Sequence, residues 1–248
     1  MNPPAAEAQP VRLHLQPASP AAGQPALAGI TPFSSVDWPG RLVAVLFIGG
    51  CPWRCGYCHN PHLQARYRQY HWPDVQRWLI SRQGLLDGTV FSGGEPLSEP
   101  QLPAMLSQAR QLGFATALHT AGMYPQRLAS VLPMLDWVGL DIKTRPQDYD
   151  SLTGRVHSAT PVWRSLDLLL ASKVTFECRT SWQASLLPEA ELLSLASTLS
   201  AKGVHHYAVQ QLRDAYGQEQ GPPLSAAVQQ QLTTLFPRFD YRQANHKN

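Results

Sequence analysis

Charge is scarce in this sequence: 15% of its 248 residues are Asp, Glu, Lys or Arg, against roughly a quarter in ordinary soluble domains. With a net charge of only +3, the chain is no solvated polyelectrolyte and lacks the strong basic footprint of a nucleic-acid binder. No stretch approaches the roughly 18 consecutive apolar residues of a membrane span, so no membrane association is expected. Cysteine is also sparse, and four in a chain of this length exclude a disulfide scaffold. No internal repeat is present. The first 28 residues, MNPPAAEAQPVRLHLQPASPAAGQPALA, hold six prolines and no basic start leading into an apolar run. They read as a disordered Pro/Ala-rich extension rather than a secretory signal, with the folded domain over residues 29–248. The expected compartment is the cytoplasm, where clustered thiols bind metal or catalyse instead of pairing.

What the sequence does contain is alternation. Apolar strand candidates at Leu42–Ile48, Thr89–Ser92, Phe114–Leu118, Trp137–Ile142, Val174–Arg179 and His206–Gln210 are separated by helical patterns. The clearest helix is Pro188–Ala201, where Leu192, Leu195, Ala196 and Leu199 share one face and Gly203 stops it. Weaker helical patterns cover 74–83, 99–112, 124–132, 161–171 and 224–235. Six strand–helix units predict an α/β fold with a parallel sheet. About 220 residues remain beyond the extension, short of the roughly 250 of a closed eight-unit barrel. A partial (β/α)6 barrel fits, with a doubly wound sheet as the competing arrangement.

In both arrangements ligands bind at the carboxyl ends of the strands. The chemically distinctive residues gather there: Cys51–Cys58 after the first strand, Gly93, Gly94 and Glu95 after the second, and His119 and Thr120 after the third. Asp141 and Lys143 close the fourth, Arg179 the fifth and Gln210 the sixth.

Three of the four cysteines, Cys51, Cys55 and Cys58, are spaced C-x3-C-x2-C in a glycine-containing loop. Four readings compete. Cys55-Gly-Tyr-Cys58-His59 is a literal haem-attachment pattern, but it leaves Cys51 idle and belongs outside the cytoplasm. A structural zinc site needs a fourth ligand, and His59 adjoins Cys58 too closely, leaving His62. Thioredoxin-like C-x-x-C chemistry has no use for a third cysteine. The fourth reading is an iron–sulfur cube on three thiolates, with Cys178 too far along the chain to complete an ordinary four-cysteine cluster. An iron left open is able to chelate the amino and carboxylate groups of S-adenosylmethionine.

C-x3-C-x2-C with Tyr57 before its last cysteine, followed on the next strand tip by Gly93-Gly94-Glu95, resembles the radical S-adenosylmethionine superfamily. The run from Gly29 to Gly40 (GITPFSSVDWPG) and Cys58-His59-Asn60-Pro61 are similar to glycyl-radical-enzyme activases. Asp136–Lys143 (DWVGLDIK) and Tyr207–Arg213 (YAVQQLR) resemble, within that group, the activating proteins of anaerobic ribonucleoside-triphosphate reductase. The similarity covers about residues 28–240.

The resemblance implies one 4Fe–4S cluster on Cys51, Cys55 and Cys58, and a bound S-adenosyl-L-methionine. Reductive cleavage of the cofactor would give a radical that abstracts a Cα hydrogen from a glycine of a partner enzyme. It assigns Gly93, Gly94 and Glu95 to the cofactor's amino group, Lys143 to its carboxylate, Asp141 to a ribose hydroxyl or to Lys143, and Tyr57 to the adenine. Thr120 is a further contact. Arg179 would hold the carboxylate or the incoming loop, and Gln210 would touch the ribose. No side chain is expected to act as catalytic acid, base or nucleophile. His119 stands where pyruvate formate-lyase activases carry an acidic residue, which bears on the monovalent cation site of those enzymes. The expected partners are a glycyl radical enzyme, with the anaerobic reductase favoured, and flavodoxin or ferredoxin as electron donor. The 36 residues between Cys58 and Glu95 contain no cysteine, which excludes a ferredoxin-like insertion there. The alternatives are a pyruvate formate-lyase-type activase, a small-molecule enzyme resembling deazaguanine synthases, and a non-enzymatic metal or haem module. The deazaguanine type follows its last cysteine with Asp-Thr, where this chain has His59-Asn60.

Overall fold

The computed structural model describes residues 23–58, 60–213 and 218–243. Strand β1 (Leu27–Ser34) pairs antiparallel with β2 (Val43–Ile48), and five further strands follow in chain order. They are β3 (Gly88–Gly93), β4 (Ala115–Thr120), β5 (Trp137–Asp141), β6 (Thr175–Trp182) and β7 (His206–Gln211), closed by a last parallel strand, β8 (Arg238–Arg242). From β2 onward every neighbouring pair is parallel. Among the described residues no ladder joins β8 to β1, so the curved sheet stays open as a partial barrel.

The six predicted strands form the centre, and the sheet is longer by one strand at each edge. β1 escapes a periodicity search because Gly29 and Pro32 interrupt it and its register with β2 slips twice. Proline belongs at such an edge, where its missing N–H has no ladder to serve. β8 reads Arg-Phe-Asp-Tyr-Arg, a period-two alternation whose charges mask its strand character. The expected boundary at residue 28 falls inside β1: Leu27 is fully buried and the Ala26 N–H donates to Glu99 Oε2. Residues 1–22 of the expected extension lie outside the described residues.

Helices α1 (Trp72–Ile80), α2 (Leu102–Gln111), α3 (Pro125–Val131), the short α4 (Tyr149–Thr153), α5 (Ala159–Leu170), α6 (Glu189–Ala201) and α7 (Ala226–Leu235) complete the fold. On α6 the predicted face of Leu192, Leu195, Ala196 and Leu199 is buried, each leucine contributing about 1.5–3 kcal/mol. None of these helices is long and apolar enough to cross a membrane.

Strand alternation sorts the side chains into two cores. Ala44, Leu46, Phe91, Leu118, Leu140, Cys178 and Tyr207 face the helices. Val43, Val45, Val90, Ala117, Trp38 and Trp137 fill the inside of the curve. The indoles of Trp38 and Trp137 stack with centroids 6.1 Å apart. Because Trp137 begins β5, this stack lies at the strands' N-terminal ends. Toward β8 the inner face turns polar. Arg242 grips the fully buried Glu177 with two bonds of 2.8 and 2.7 Å, and between their strands β7 contributes the small Ala208 and His206, whose Nε2 lies 2.8 Å from Asp240 Oδ2 and 3.4 Å from Glu177 Oε2.

Candidate cofactor site

The loop after β2 is pinned at five backbone positions. Gly49, Gly50 and Cys51 donate to the carbonyls of Ala26, Leu63 and Gln64; Arg54 donates to that of Thr153; and Cys58 closes a turn onto Cys55. Arg54 Nη1 donates to Trp53 O at 2.8 Å and to Cys51 O at 2.5 Å, and Arg155 Nε donates to Pro52 O at 3.1 Å. The result is a fixed loop that leaves Cys51, Cys55 and Cys58 as half-buried free thiols on one cavity of about 160 Å³. Burial pushes the Cys51 thiol up to about 11 and Cys55 upward as well, with Lys143 pulling both back toward the thiolate.

The next strand tip meets this loop at van der Waals range. A Cβ on Gly94 would stand 2.5 Å from Gly50 O, and one on Gly93 2.4 Å from Ile48 O, so only glycines allow the approach. Gly93 has φ +118°, which L side chains rarely adopt. Gly94 N donates to Ile48 O and Glu95 N to Gly50 O, locking the two loops together.

Glu95 itself does not reach the cavity. Its carboxylate is fully buried, Oε1 accepting from the Thr120 hydroxyl (2.7 Å) and Leu97 N (3.0 Å), and Oε2 from Ala121 N (3.0 Å). Burial raises its pKa to about 7 despite these donors. With these donors the Glu95 carboxylate ties β3 to β4 beneath the site. Its backbone neighbours Gly93 and Gly94 do line the cavity.

On the opposite wall Arg179 Nε and Nη2 both donate to Asp141 Oδ1, at 3.0 and 2.8 Å, while Lys143 Nζ stands 3.7 Å from Oδ2. Burial alone would raise the Asp141 carboxyl, but Arg179 and Lys143 hold it below its ordinary range. Burial alone would lower Lys143, but the neighbouring Asp141 carboxylate holds it above its ordinary range. Gly139 makes the Arg179–Asp141 pair possible, because a Cβ there would lie 2.8 Å from the guanidinium carbon. The expectation that Arg179 ends its strand is corrected: β6 runs on to Trp182, because Thr180–Trp182 still pair with β7.

His119 Nε2 lies 2.7 Å from Asp37 O and, facing a carbonyl, must carry the proton. Burial and then Arg179 push its pKa down to about 3, so the imidazole is neutral. It lines the cavity beside Thr120, Asp141 and Arg179.

Ten predicted site residues therefore share one cavity: Cys51, Cys55, Tyr57, Cys58, Gly93, Gly94, Thr120, Asp141, Lys143 and Arg179. Glu95 lies below it, and Gln210, on the inner face one strand beyond Ser181, is not part of its wall. Ser92, Met123 and Ser181 also line it; Ser181 was legible as the residue two after Arg179 on the same strand face. The short helix α4 was not foreseen, yet it braces two walls. Trp53 packs edge-on against Tyr149, whose hydroxyl accepts from Lys143 N at 2.9 Å.

The donor set fits the cofactor pair named above. Among the described residues, the only three ligand-type side chains within 4.8 Å of one another are Glu177, His206 and Asp240, so the three cysteine sulfurs are not drawn to the spacing of a single ion. Thiols spread on one loop suit a cube with several metal corners. The carboxylates of the Glu177 set are already paired with Arg242 and Arg238.

Comparisons with known proteins agree with this geometry. The sequence profile described as Radical SAM superfamily matches residues 45–180. A protein of Methanocaldococcus jannaschii named as a glycyl-radical enzyme activating enzyme is 28% identical over 203 residues, covering 78% of this chain and 83% of its own. The pyruvate formate-lyase-activating enzyme of Clostridium pasteurianum is 35% identical over 128 residues, but only 48% of this chain and 53% of that enzyme are aligned. The crystal structure of a radical SAM methyltransferase from Sphaerobacter thermophilus superposes with a TM-score of 0.59 at 15% identity, covering 84% of this chain and 69% of the other, a likeness of fold.

Proposed function

The chain belongs to the radical SAM superfamily, and from that premise we propose that it is an activating enzyme that converts one glycine of a partner enzyme into a glycyl radical. The partner we favour is anaerobic ribonucleoside-triphosphate reductase. One observation carries the reading: three thiols, the Gly93-Gly94 approach and the Asp141–Lys143–Arg179 group converge on one cavity at the carboxyl ends of the strands, in a sheet open along one side. A 4Fe–4S cluster and S-adenosylmethionine, the cofactor pair of this superfamily, supply the radical chemistry when bound.

The chain's own groups bind and orient. Cys51, Cys55 and Cys58 would hold the cluster, and the Gly93–Gly94 backbone would face the amino group of the nucleoside cofactor. Lys143, fixed in its charged form, and Arg179, already tied to Asp141, present positive charge to a carboxylate. Neutral His119 adds no charge. A partner's glycine segment would enter along the gap between β8 and β1. An external one-electron donor of the flavodoxin or ferredoxin kind would reduce the cluster, and the cytoplasm suits both.

Similarity to the clostridial enzyme favours pyruvate formate-lyase as a second candidate partner; the DWVGLDIK and YAVQQLR segments favour the reductase. The test is anaerobic reconstitution with iron and sulfide, then incubation with dithionite, S-adenosylmethionine and each partner in turn. A glycyl doublet in electron paramagnetic resonance with the reductase is expected. A doublet with the lyase alone reassigns the partner. A colourless protein holding one zinc refutes the reading.

A further inference from the structure

Tyr57 carries a polar atom that the chain leaves unanswered. Its hydroxyl oxygen is buried and has no hydrogen-bond partner, although the residue sits on the cavity wall between Cys55 and Cys58. Buried hydroxyls are nearly always satisfied, by protein, water or ligand, because an unmet one loses its hydration for nothing in return. Packing does not explain it either, since phenylalanine would fill the same space without the buried oxygen.

The surroundings say what kind of group is missing. The nearest charge is the Lys143 ammonium, 5.7 Å from the Tyr57 ring centroid. That ammonium lies 3.7 Å from Asp141 Oδ2, too far for a hydrogen bond, while Asp141 Oδ1 is taken by Arg179. The phenol oxygen can accept from that ammonium, which leaves the phenol's own proton as the group with no acceptor among the described residues.

We propose that the Tyr57 hydroxyl is a ligand contact: with Lys143 it donates hydrogen bonds to an oxygen of bound S-adenosylmethionine, either a ribose hydroxyl or the methionyl carboxylate. The inference rests on the function proposed above and gives Tyr57 a role beyond ring packing against an adenine. Tyr57 is a positioning residue in this account, since it moves no proton in the reaction.

The test compares reconstituted wild-type protein with Tyr57→Phe, which keeps the ring and removes only the oxygen. Iron and sulfide content report whether the cysteine loop is intact, and equilibrium dialysis gives the dissociation constant for S-adenosylmethionine. The expected result is unchanged cluster content with affinity weakened about tenfold, the scale of one lost hydrogen bond. The same measurement with 5′-methylthioadenosine and with methionine separates the two acceptors. Weakening confined to the first assigns the ribose, and weakening confined to the second assigns the carboxylate. Wild-type-like affinity for all three in Tyr57→Phe overturns the inference while leaving the proposed function standing. Failure of the wild type itself to bind S-adenosylmethionine removes both.

Discussion

Thr120 donates its hydroxyl to Glu95 Oε1 across 2.7 Å, joining the tip of β4 to the loop after β3 inside a wholly buried network. The carboxylate that closes a Gly-Gly-Glu motif is here a fastener between two strand tips. Its acceptors hold Thr120, Leu97 and Ala121 in place and leave the glycines to present their backbone to the cavity.

Glu95 therefore makes stability depend on pH. Its folded pKa of about 7 lies above the ordinary 4.5, chiefly through burial. A raised pKa means that the folded state binds the extra proton, so this group's contribution is full below pH 4.5 and is lost as pH rises through 7. Glu95→Gln carries no titrating proton. In urea unfolding, the advantage of wild type over Glu95→Gln should shrink steadily between pH 4.5 and 7, and a constant difference over that window contradicts the account.

Cluster binding should separate the cysteines three to one. Cys51→Ala, Cys55→Ala and Cys58→Ala should each lose bound iron after reconstitution. Cys178, fully buried among apolar side chains on the helix side of β6, should be replaceable by alanine with full iron content and about 1 kcal/mol of stability lost. Iron loss in Cys178→Ala would show a four-thiolate site.

Gly139→Ala should act at a distance from its own position. The new Cβ would stand 2.8 Å from the Arg179 guanidinium carbon and displace it from Asp141. Because Asp141 keeps some solvent contact and Lys143 nearby, a cost on the order of 2 kcal/mol is expected, below the usual 3–5 for a broken buried pair. The His119 nitrogens should also titrate higher than about 3, since Arg179 is, after burial, the largest of the three causes that depress them. Nitrogen NMR of the imidazole reads this directly, and an unmoved titration means that the guanidinium stayed.

Gln210→Ala should leave affinity for S-adenosylmethionine within twofold of wild type, because Gln210 is absent from the cavity wall. A large loss in equilibrium dialysis would restore the ribose contact expected from the sequence.

Legibility followed range. The cysteine spacing, the Gly93-Gly94 pair and the Asp141–Lys143 alternation are local patterns that needed only strand ends to be placed, and they share one cavity. The side-chain orientation of Glu95 was not legible, because it depends on donors from residues 120 and 121, beyond the reach of a local pattern. Gln210 lies near the end of β7 as expected, but a strand-tip position alone does not say how far round the curve that strand lies. β1 was hidden by Gly29 and Pro32, and its burial becomes intelligible only once Ala26 is seen bonded to Glu99, far along the chain.

The paired indoles of Trp38 and Trp137 fill the inner face where the strands begin, while among the described residues no ladder joins β8 to β1. The cofactor cavity is therefore approached either over the rim or across that unjoined edge, and a bulky occupant at one approach leaves the other free.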